Sequence, residues 1–234
     1  MTIKPAFLSY SLYRTKSTFL GHVISKDGRS LSPKRVTAVQ NILKPVTKKQ
    51  LMSFLGITSY CRNFIPNYSF LEAPLGALIH GKGLQSADRV PWTPEAESAF
   101  TQLKLALQTA PTLGIPDPHK PFIHAVDEKH GCMTSVIMQE HGGRQRPVAY
   151  FSAKLDSVAA GLPGCLRAVA AAEKAVLASR DIVGYTDLSF FWFLGLLPLF
   201  FSSRKLHIFQ LLVGSDTLLC SLICQMSLLN VVLF

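Results

Sequence analysis

Two adjacent carboxylates, Asp127 and Glu128, follow a largely apolar run at residues 122–126. Carboxylates that converge on two divalent cations activate water and stabilise a leaving oxygen, which is the chemistry of phosphodiester hydrolysis. Such a site needs further carboxylates from other elements, and residues 188–201 contain none. The pair could hold a stray cation, but the sequence predicts no catalytic residue, no metal site and no cofactor. The flanking His124 and His130 are expected to be satisfied or surface histidines rather than ligands.

Basic residues are the second feature with a chemical meaning. The chain has 24 Lys and Arg against 14 Asp and Glu, for a net charge of +10. Residues 1–188 carry +9 of this charge, because residues 189–234 contain only Arg204, Lys205 and Asp216 as charged residues. A basic protein suits a polyanionic partner, since each neutralised phosphate releases counterions. Charge alone does not decide the point, because many basic proteins bind no nucleic acid.

The cysteines indicate neither a zinc site nor a disulfide framework. They are five in number and scattered. Cys220 and Cys224 stand four apart with His207 as the nearest further ligand, whereas structural zinc needs four convergent ligands. An odd count and the absence of an apolar segment after Met1 predict a cytoplasmic or nuclear protein that is not secreted.

Helix caps and turn residues divide the chain into elements. Asp27-Gly28 predicts a tight turn, while Ser32, Thr47 and Thr93 are N-cap residues, Thr47 with Gln50 in a capping box. The first half is predicted to contain a strand pair over 6–25 and three helices, which run from Ser32-Pro33 to Pro45, from Thr47 to Pro66-Asn67 and over 71–79. The apolar face of the second helix consists of Leu51, Phe54, Leu55 and Thr58.

The second half is predicted to begin with a helix from Thr93 that buries Phe100, Leu103 and Leu107, followed by a loop over 111–121. Strands over 122–127, 133–139 and 148–152 and a helix over 165–180 complete the predicted elements.

Several motifs in this order resemble a known family. They are Phe19-Leu-Gly-His-Val-Ile-Ser25, Leu51-Met-Ser-Phe-Leu-Gly56 through Phe64-Ile-Pro66, Trp92-Thr-Pro-Glu95, Pro111-Thr-Leu-Gly114 and Arg146-Pro-Val-Ala-Tyr-Phe-Ser152. The series is similar to the C-terminal half of a reverse transcriptase from gammaretrovirus-like endogenous retroviruses and LTR retrotransposons. The resemblance covers roughly residues 15–188 and places the palm aspartates of such polymerases upstream of Met1.

The resemblance implies an α+β protein. Residues 1–30 would be the end of the palm, residues 31–86 a small helical thumb, and residues 87–188 an incomplete RNase H-like or connection domain. The polar connector at residues 81–88 would carry the boundary. In this family the thumb lays one helix along an RNA–DNA hybrid or other duplex, so duplex nucleic acid is the expected partner and a small-molecule substrate is not.

The second helix matches the segment that grips the duplex in these enzymes. A gripping face needs small residues for close approach and basic residues for phosphates. Glycine inside a helix costs about 1 kcal/mol relative to alanine, so Gly56 indicates either a ligand contact or packing between helices. Tyr60 could stack or donate at the groove, or it could lie in the core. The predicted nucleic-acid-binding residues are Lys48, Lys49, Ser53, Gly56, Tyr60 and Arg62.

The resemblance also bears on hydrolysis, which in the parent family uses Mg²⁺. Asp127 matches the first catalytic aspartate of active relatives, but the surrounding Val126-Asp-Glu-Lys129 looks like the connection domain of gammaretroviruses. Ala170 stands where the helix glutamate would be, and Glu173 lies almost one turn later. Asp127 is therefore predicted to be a vestigial candidate in an inactive domain.

The resemblance ends near Leu188. Residues 189–234 are an apolar tail, and the strands and helices that would complete an RNase H-like sheet are expected to be missing. A frameshift or a splice into unrelated sequence would explain such a change in composition. The alternative is a membrane-associated or structural protein that uses the tail and carries the retroelement-derived part as a passenger, since residues 217–234 are long enough for a marginal span.

Overall fold

The computed structural model describes residues 16–80, 85–184, 188–192 and 198–201. It begins with a three-stranded antiparallel sheet of β1 (Lys16–Phe19), β2 (His22–Ser25) and β3 (Gly28–Leu31). The predicted Asp27-Gly28 turn is confirmed between β2 and β3. The strand pair predicted within residues 6–25 is present at residues 16–25, where β1 and β2 form a hairpin. Its turn uses Leu20 at a φ of 48°, a conformation that the sequence does not signal for leucine. Residues 6–15 lie outside the described residues.

Three helices follow the sheet. They are α1 (Pro33–Gln40), α2 (Lys48–Tyr60) and α3 (Tyr68–Ile79), with a short 3-10 turn at Arg62–Phe64 after α2. Ser32 caps α1, and Thr47 and Gln50 form the predicted capping box of α2. Both predicted C-terminal ends are too late, because α1 ends before Asn41 and α2 before Cys61.

A fourth helix, α4 (Pro94–Gln108), is capped by Thr93 as predicted and packs against α3 and α1. Its buried residues join those of the first three helices in one core, although α4 follows the connector that carries the predicted domain boundary. The boundary itself stays a prediction. This helical core contains Val39, Leu51, Phe54, Leu55, Cys61, Ile65, Tyr68, Leu75, Val90, Ala96, Ala99, Phe100, Leu103 and Leu107.

The second half is a five-stranded sheet covered by helix. Three antiparallel strands, β4 (Phe122–Lys129), β5 (Cys132–His141) and β6 (Arg144–Lys154), are confirmed with longer bounds than predicted. The short α5 (Ser157–Ala160) and the long α6 (Gly164–Val183) follow. Their apolar residues form a second core with the sheet: Phe122, Val126, Met133, Ile137, Val148, Leu155, Ala159, Ala171, Ala175 and Val183.

The sheet continues beyond Leu188, so the prediction that it stops there is wrong. Strand β7 (Leu188–Trp192) pairs in parallel with β4, and β8 (Pro198–Phe201) pairs antiparallel with β7. The run Leu188-Ser-Phe-Phe-Trp192 is rich in aromatic residues of high β propensity, which suits an interior strand. Residues 193–197 and 202–234, the rest of the predicted tail, lie outside the described residues. Among the helices that the structure describes, none is long and apolar enough to cross a membrane.

The predicted loop between α4 and β4 joins the two sheets. Leu113 is fully buried and exchanges two backbone hydrogen bonds with Arg29 of β3, at 2.7 and 2.8 Å. The next residue, Gly114, donates its N–H to the carbonyl oxygen of Pro147 in β6 at 2.7 Å. The Pro-Thr-Leu-Gly motif therefore fixes the first sheet against the second.

Gly28 makes this junction possible. Its φ is 126°, and a Cβ at this position would collide with the carbonyl oxygen of Leu113. Gly142 in the β5–β6 turn also has a positive φ, of 62°, but has open space around it. Replacing Gly142 by alanine would therefore introduce backbone strain alone, whereas replacing Gly28 would introduce both strain and the collision with Leu113.

We expect Gly28→Ala to lower the free energy of unfolding by more than about 2 kcal/mol, because strain and collision add. Gly142→Ala should cost only about 1 kcal/mol, because an L-residue there pays for the left-handed backbone alone. Urea unfolding followed by circular dichroism measures both. Equal losses in the two variants would show that the contact of Gly28 with Leu113 contributes nothing.

Candidate nucleic-acid interface

Helix α2 has one buried and one exposed face. Leu51, Phe54, Leu55 and Thr58 point into the helical core, as predicted. At about 100° per residue, the exposed positions 49, 53, 56 and 60 fall within about 60° of one another. These four residues, Lys49, Ser53, Gly56 and Tyr60, are called the α2 stripe below, and all four are exposed.

Gly56 lies in the middle of the α2 stripe and faces open space. A Cβ built at Gly56 meets no other atom within 4 Å. The alternative that this glycine serves helix–helix packing is therefore wrong for the described part of the chain. No packing contact of Gly56 therefore compensates for the low helix propensity of glycine. One turn earlier, the Ser53 hydroxyl donates to the carbonyl oxygen of Lys49 at 3.0 Å.

The remaining predicted contacts flank the stripe. Lys48 is half-buried in the first turn of α2, about 100° around the helix from Lys49. Arg62 is exposed in the 3-10 turn that follows α2. The structure therefore brings four of the six predicted residues onto one face, with one basic residue beside it and one beyond its C-terminal end. Their role as nucleic-acid contacts stays a prediction.

Tyr60 ties the C-terminal end of the stripe to the first sheet. Its side chain is 52% exposed, so it is not a core residue. Its hydroxyl donates to the carbonyl oxygen of Leu20 in the β1–β2 turn at 3.2 Å. Its ring lies under the guanidinium of Arg35, whose central carbon is 4.4 Å from the ring centroid.

Tyr60 belongs to a column of stacked rings and arginines, called the arginine column below, whose other members are Arg35, His22, Phe64 and Arg29. The His22 ring stacks on Tyr60 and on Phe64, with centroid separations of 5.4 and 5.3 Å. The guanidinium of Arg29 lies over the Phe64 ring at 5.2 Å. Burial, and then the charges of the two arginines, lower the pKa of His22, so this ring is neutral at pH 7.

Arg29 and Arg35 have no carboxylate partner within the described residues, where the ion pairs are Lys44 with Glu97 and Arg167 with Glu128. Burial lowers the pKa of Arg29, which records the cost of removing this guanidinium from water. Sequence reasoning missed both arginines, because they come from β3 and α1 and meet α2 only in the fold. In the sequence, only their position shortly after the Phe-Leu-Gly-His motif could have indicated that they belong near this site.

The predicted carboxylate pair is divided between the two faces of the second sheet. Glu128 is almost fully buried, and its carboxylate accepts from Arg167 Nε at 3.0 Å and from the Gly131 N–H at 2.8 Å. Asp127, the next residue back, points to the other face because side chains alternate along a strand. The expectation that the two could share a cation is therefore wrong.

The two histidines beside this pair have different surroundings. His124 is fully buried, and burial lowers its pKa to about 3, while its ring contacts Phe151 edge to face at 6.4 Å. His130 is exposed in the β4–β5 turn. Within the described ranges, no three His, Cys, Asp or Glu residues lie close enough together to hold a metal ion.

Comparison with known proteins confirms the resemblance to retroviral reverse transcriptases. Residues 92–187 match the model of the RNase H-like domain found in reverse transcriptase. The chain is 44% identical over 158 residues to the Pol polyprotein of Feline endogenous virus ECE1, covering 68% of this chain and 15% of that protein. It is 43% identical over 158 residues to the Gag-Pol polyprotein of Baboon endogenous virus (strain M7), covering 68% of this chain and 9% of that protein.

Solved structures give the same result for the fold. The chain resembles the foamy viral protease-reverse transcriptase dRH in complex with double-stranded DNA, with a TM-score of 0.69 and 26% identity, over 83% of this chain and 32% of that one. It also resembles the foamy viral enzyme in complex with an RNA/DNA hybrid, with a TM-score of 0.66 and 26% identity, over 87% and 26% of the two chains. The chain thus spans a minor part of each relative.

Replacing Glu128 and Asp127 in turn tests whether the two carboxylates lie on opposite faces of the sheet, one paired with Arg167 and one unpaired. We expect Glu128→Gln to lower the free energy of unfolding by about 1–2 kcal/mol, because the partly exposed Arg167 loses its charged acceptor. Asp127→Asn should change it by less than about 0.5 kcal/mol, because this side chain has no hydrogen-bond or ion-pair partner among the described residues. Urea unfolding of the full chain measures both, and equal effects would contradict the assignment.

Proposed function

We propose that this chain, which is related to retroviral reverse transcriptases, binds duplex nucleic acid, and an RNA–DNA hybrid in particular, without hydrolysing it. Residues 1–30 act as the end of a palm, residues 31–86 as a thumb and residues 87–188 as a connection domain. The observation that carries the proposal is the α2 stripe, where a glycine with open space above it lies between a lysine and a tyrosine.

The stripe has the physical properties of a groove contact. Gly56 and Ser53 keep the backbone of α2 close to the surface, so a duplex can approach without steric hindrance. Lys49 lies one turn before Ser53 and supplies positive charge for a phosphate. Apolar Met52 and Ile57 border the stripe and are half-exposed, which suits contact with sugar rings better than contact with water.

The arginine column extends the basic surface beyond the end of α2. Tyr60 belongs both to the stripe and to the column, so Arg35 lies at the C-terminal end of the stripe. The two arginines have no acidic partner among the described residues, and a polyanion would supply the missing counter-charge. The relatives solved in complex with double-stranded DNA and RNA/DNA hybrid support the choice of partner.

The same geometry argues against hydrolysis. Two-metal cleavage needs carboxylates that converge on one point. Glu128 already neutralises Arg167 on the α6 side of the sheet, while Asp127 points to the opposite side. The neighbouring strand β7 contributes Leu188, Ser189, Phe190, Phe191 and Trp192, none of them acidic. Asp127 is therefore proposed to be a vestige without a catalytic role.

The substitution Gly56→Ala tests whether Gly56 serves nucleic-acid binding or the stability of the fold. We expect the free energy of unfolding to rise by up to about 1 kcal/mol, because alanine is the better helix former and its methyl group meets open space. Affinity for an RNA–DNA hybrid should nevertheless fall about tenfold, or about 1.4 kcal/mol, because the methyl group keeps the duplex away from Lys49. Fluorescence anisotropy with a labelled hybrid measures the affinity.

Thr101→Ala is the matched control, since Thr101 is an exposed helical position on α4, outside the stripe. It should leave hybrid affinity unchanged. The wild-type affinity should also fall with rising salt along a negative log–log slope, as counterion release requires. Absence of binding at low salt, or a Gly56→Ala variant that binds as well as the wild type, would rule out the proposal.

Incubation of a labelled RNA–DNA hybrid with the full chain and Mg²⁺ should give no cleavage products on a denaturing gel. The physical reason is that, among the described residues, Asp127 belongs to no cluster of carboxylates that could hold a metal ion. Asp127→Asn should behave identically to the wild type. Magnesium-dependent cleavage that this variant abolishes would overturn the assignment of Asp127 as a vestige.

A further inference from the structure

A cavity of about 200 Å³ lies between the helical core and the second sheet. Its helical wall is the corner that leads into α3, and its other wall is the face of β4, β5 and β6 that is turned away from α6. The residues that line it are Pro66, Asn67, Ala125, Val126, Asp127, Thr134, Ser135, Val136 and Tyr150.

The strand register shows which side chains face the cavity. Asp127 pairs with Thr134, and Thr134 pairs with Ser152, so these three side chains form a row across one face. The adjacent row consists of Ala125, Val136 and Tyr150. Ser152 closes one end of the first row, because its hydroxyl accepts from the N–H of Ser69 in α3 at 2.8 Å.

Five polar side chains among the lining residues have no hydrogen-bond partner in the described part of the chain. They are the carboxylate of Asp127, the hydroxyls of Thr134, Ser135 and Tyr150, and the amide of Asn67, which begins α3 at a φ of 56° without capping it. Convergent polar groups that lack protein partners, set among apolar residues in a concave surface, are the usual mark of a ligand site.

The cavity also carries a single unbalanced charge. Asp127 is the one ionisable acid among the lining residues, and no basic residue lines the cavity. We propose that this cavity binds a planar organic cation of the guanidinium or amidinium class, with its N–H groups on Asp127, Thr134 and Tyr150. This assignment does not rest on the proposed function, because none of these residues belongs to the α2 stripe.

The chemistry of the lining favours this class of ligand. A carboxylate accepts two parallel N–H bonds from a guanidinium or amidinium, a geometry that a spherical ammonium does not match. The hydroxyls of Thr134 and Tyr150 offer further acceptors, and the Tyr150 ring offers an aromatic surface for a delocalised cation. Burial raises the pKa of Tyr150, so its hydroxyl stays uncharged and the site keeps one negative charge.

Benzamidine is the probe, and benzamide is its neutral match in shape. We expect benzamidine to shift the amide resonances of residues 125–127 and 134–136 of the full chain in ¹H–¹⁵N spectra, while benzamide does not. Asp127→Asn should weaken benzamidine binding at least tenfold, and Thr134→Val should weaken it to a smaller degree. Asp181→Asn, at an exposed aspartate of α6, should leave it unchanged.

A second probe, N-acetylarginine methylamide, distinguishes a free small cation from the arginine side chain of a partner protein as the natural ligand. Binding of both probes through Asp127 indicates a site open to free small cations and to arginine side chains of a partner. Binding of the arginine derivative alone indicates a site for a partner's arginine. Equal shifts with benzamide and benzamidine, or unchanged benzamidine affinity in a folded Asp127→Asn variant, would overturn the proposal.

Discussion

The backbone pairing between Arg29 and Leu113 is the constraint on which the arrangement of the molecule depends. Two hydrogen bonds join the first sheet to the loop that follows α4, and the next residue of that loop bonds β6. The glycine at position 28 allows this approach because it has no Cβ. Arg146 adds a side-chain bond to the carbonyl oxygen of Asp27 at 2.7 Å. The first sheet is therefore held by the second half of the chain as well as by the helices that follow it.

This constraint positions the arginine column. Arg29 takes part in the backbone pairing, and its side chain leaves the same residue toward the Phe64 ring. The position of β3 thus determines where one guanidinium lies relative to the end of α2. On the other side of the column, the Arg35 guanidinium lies against Gly21, where a Cβ would collide with it. The Phe64 ring limits the positions of the Arg29 guanidinium, and Gly21 and the Tyr60 ring limit those of Arg35, which reduces the entropy that a phosphate partner would have to remove.

Local signals in the sequence predict the elements well and the contacts between them poorly. Ser32, Thr47 and Thr93 were recognisable as caps because capping depends on neighbouring residues alone. The buried face of α2 followed from its period. The arginine column could not be predicted, because it joins β2, β3, α1 and α2 through tertiary contacts. Strand β7 was missed for a different reason: its aromatic run was interpreted by composition, although its partner β4 lies some 60 residues earlier, as expected for a parallel pair with a helical crossover.

The alternation of side chains along β4 gives its two adjacent carboxylates different surroundings. Glu128 points toward α6 and accepts bonds from Arg167 and from the β4–β5 turn, so its charge stabilises the packing of the helix on the sheet. Asp127 points the other way, into a cavity between the sheet and the helical core. A hydrolytic site would need carboxylates from other elements to converge with Asp127. Because Glu128 is bound to an arginine and β7 contains no acidic residue, neither supplies a second metal-binding carboxylate next to Asp127, and the duplex-binding surface proposed on α2 shares no residue with this strand.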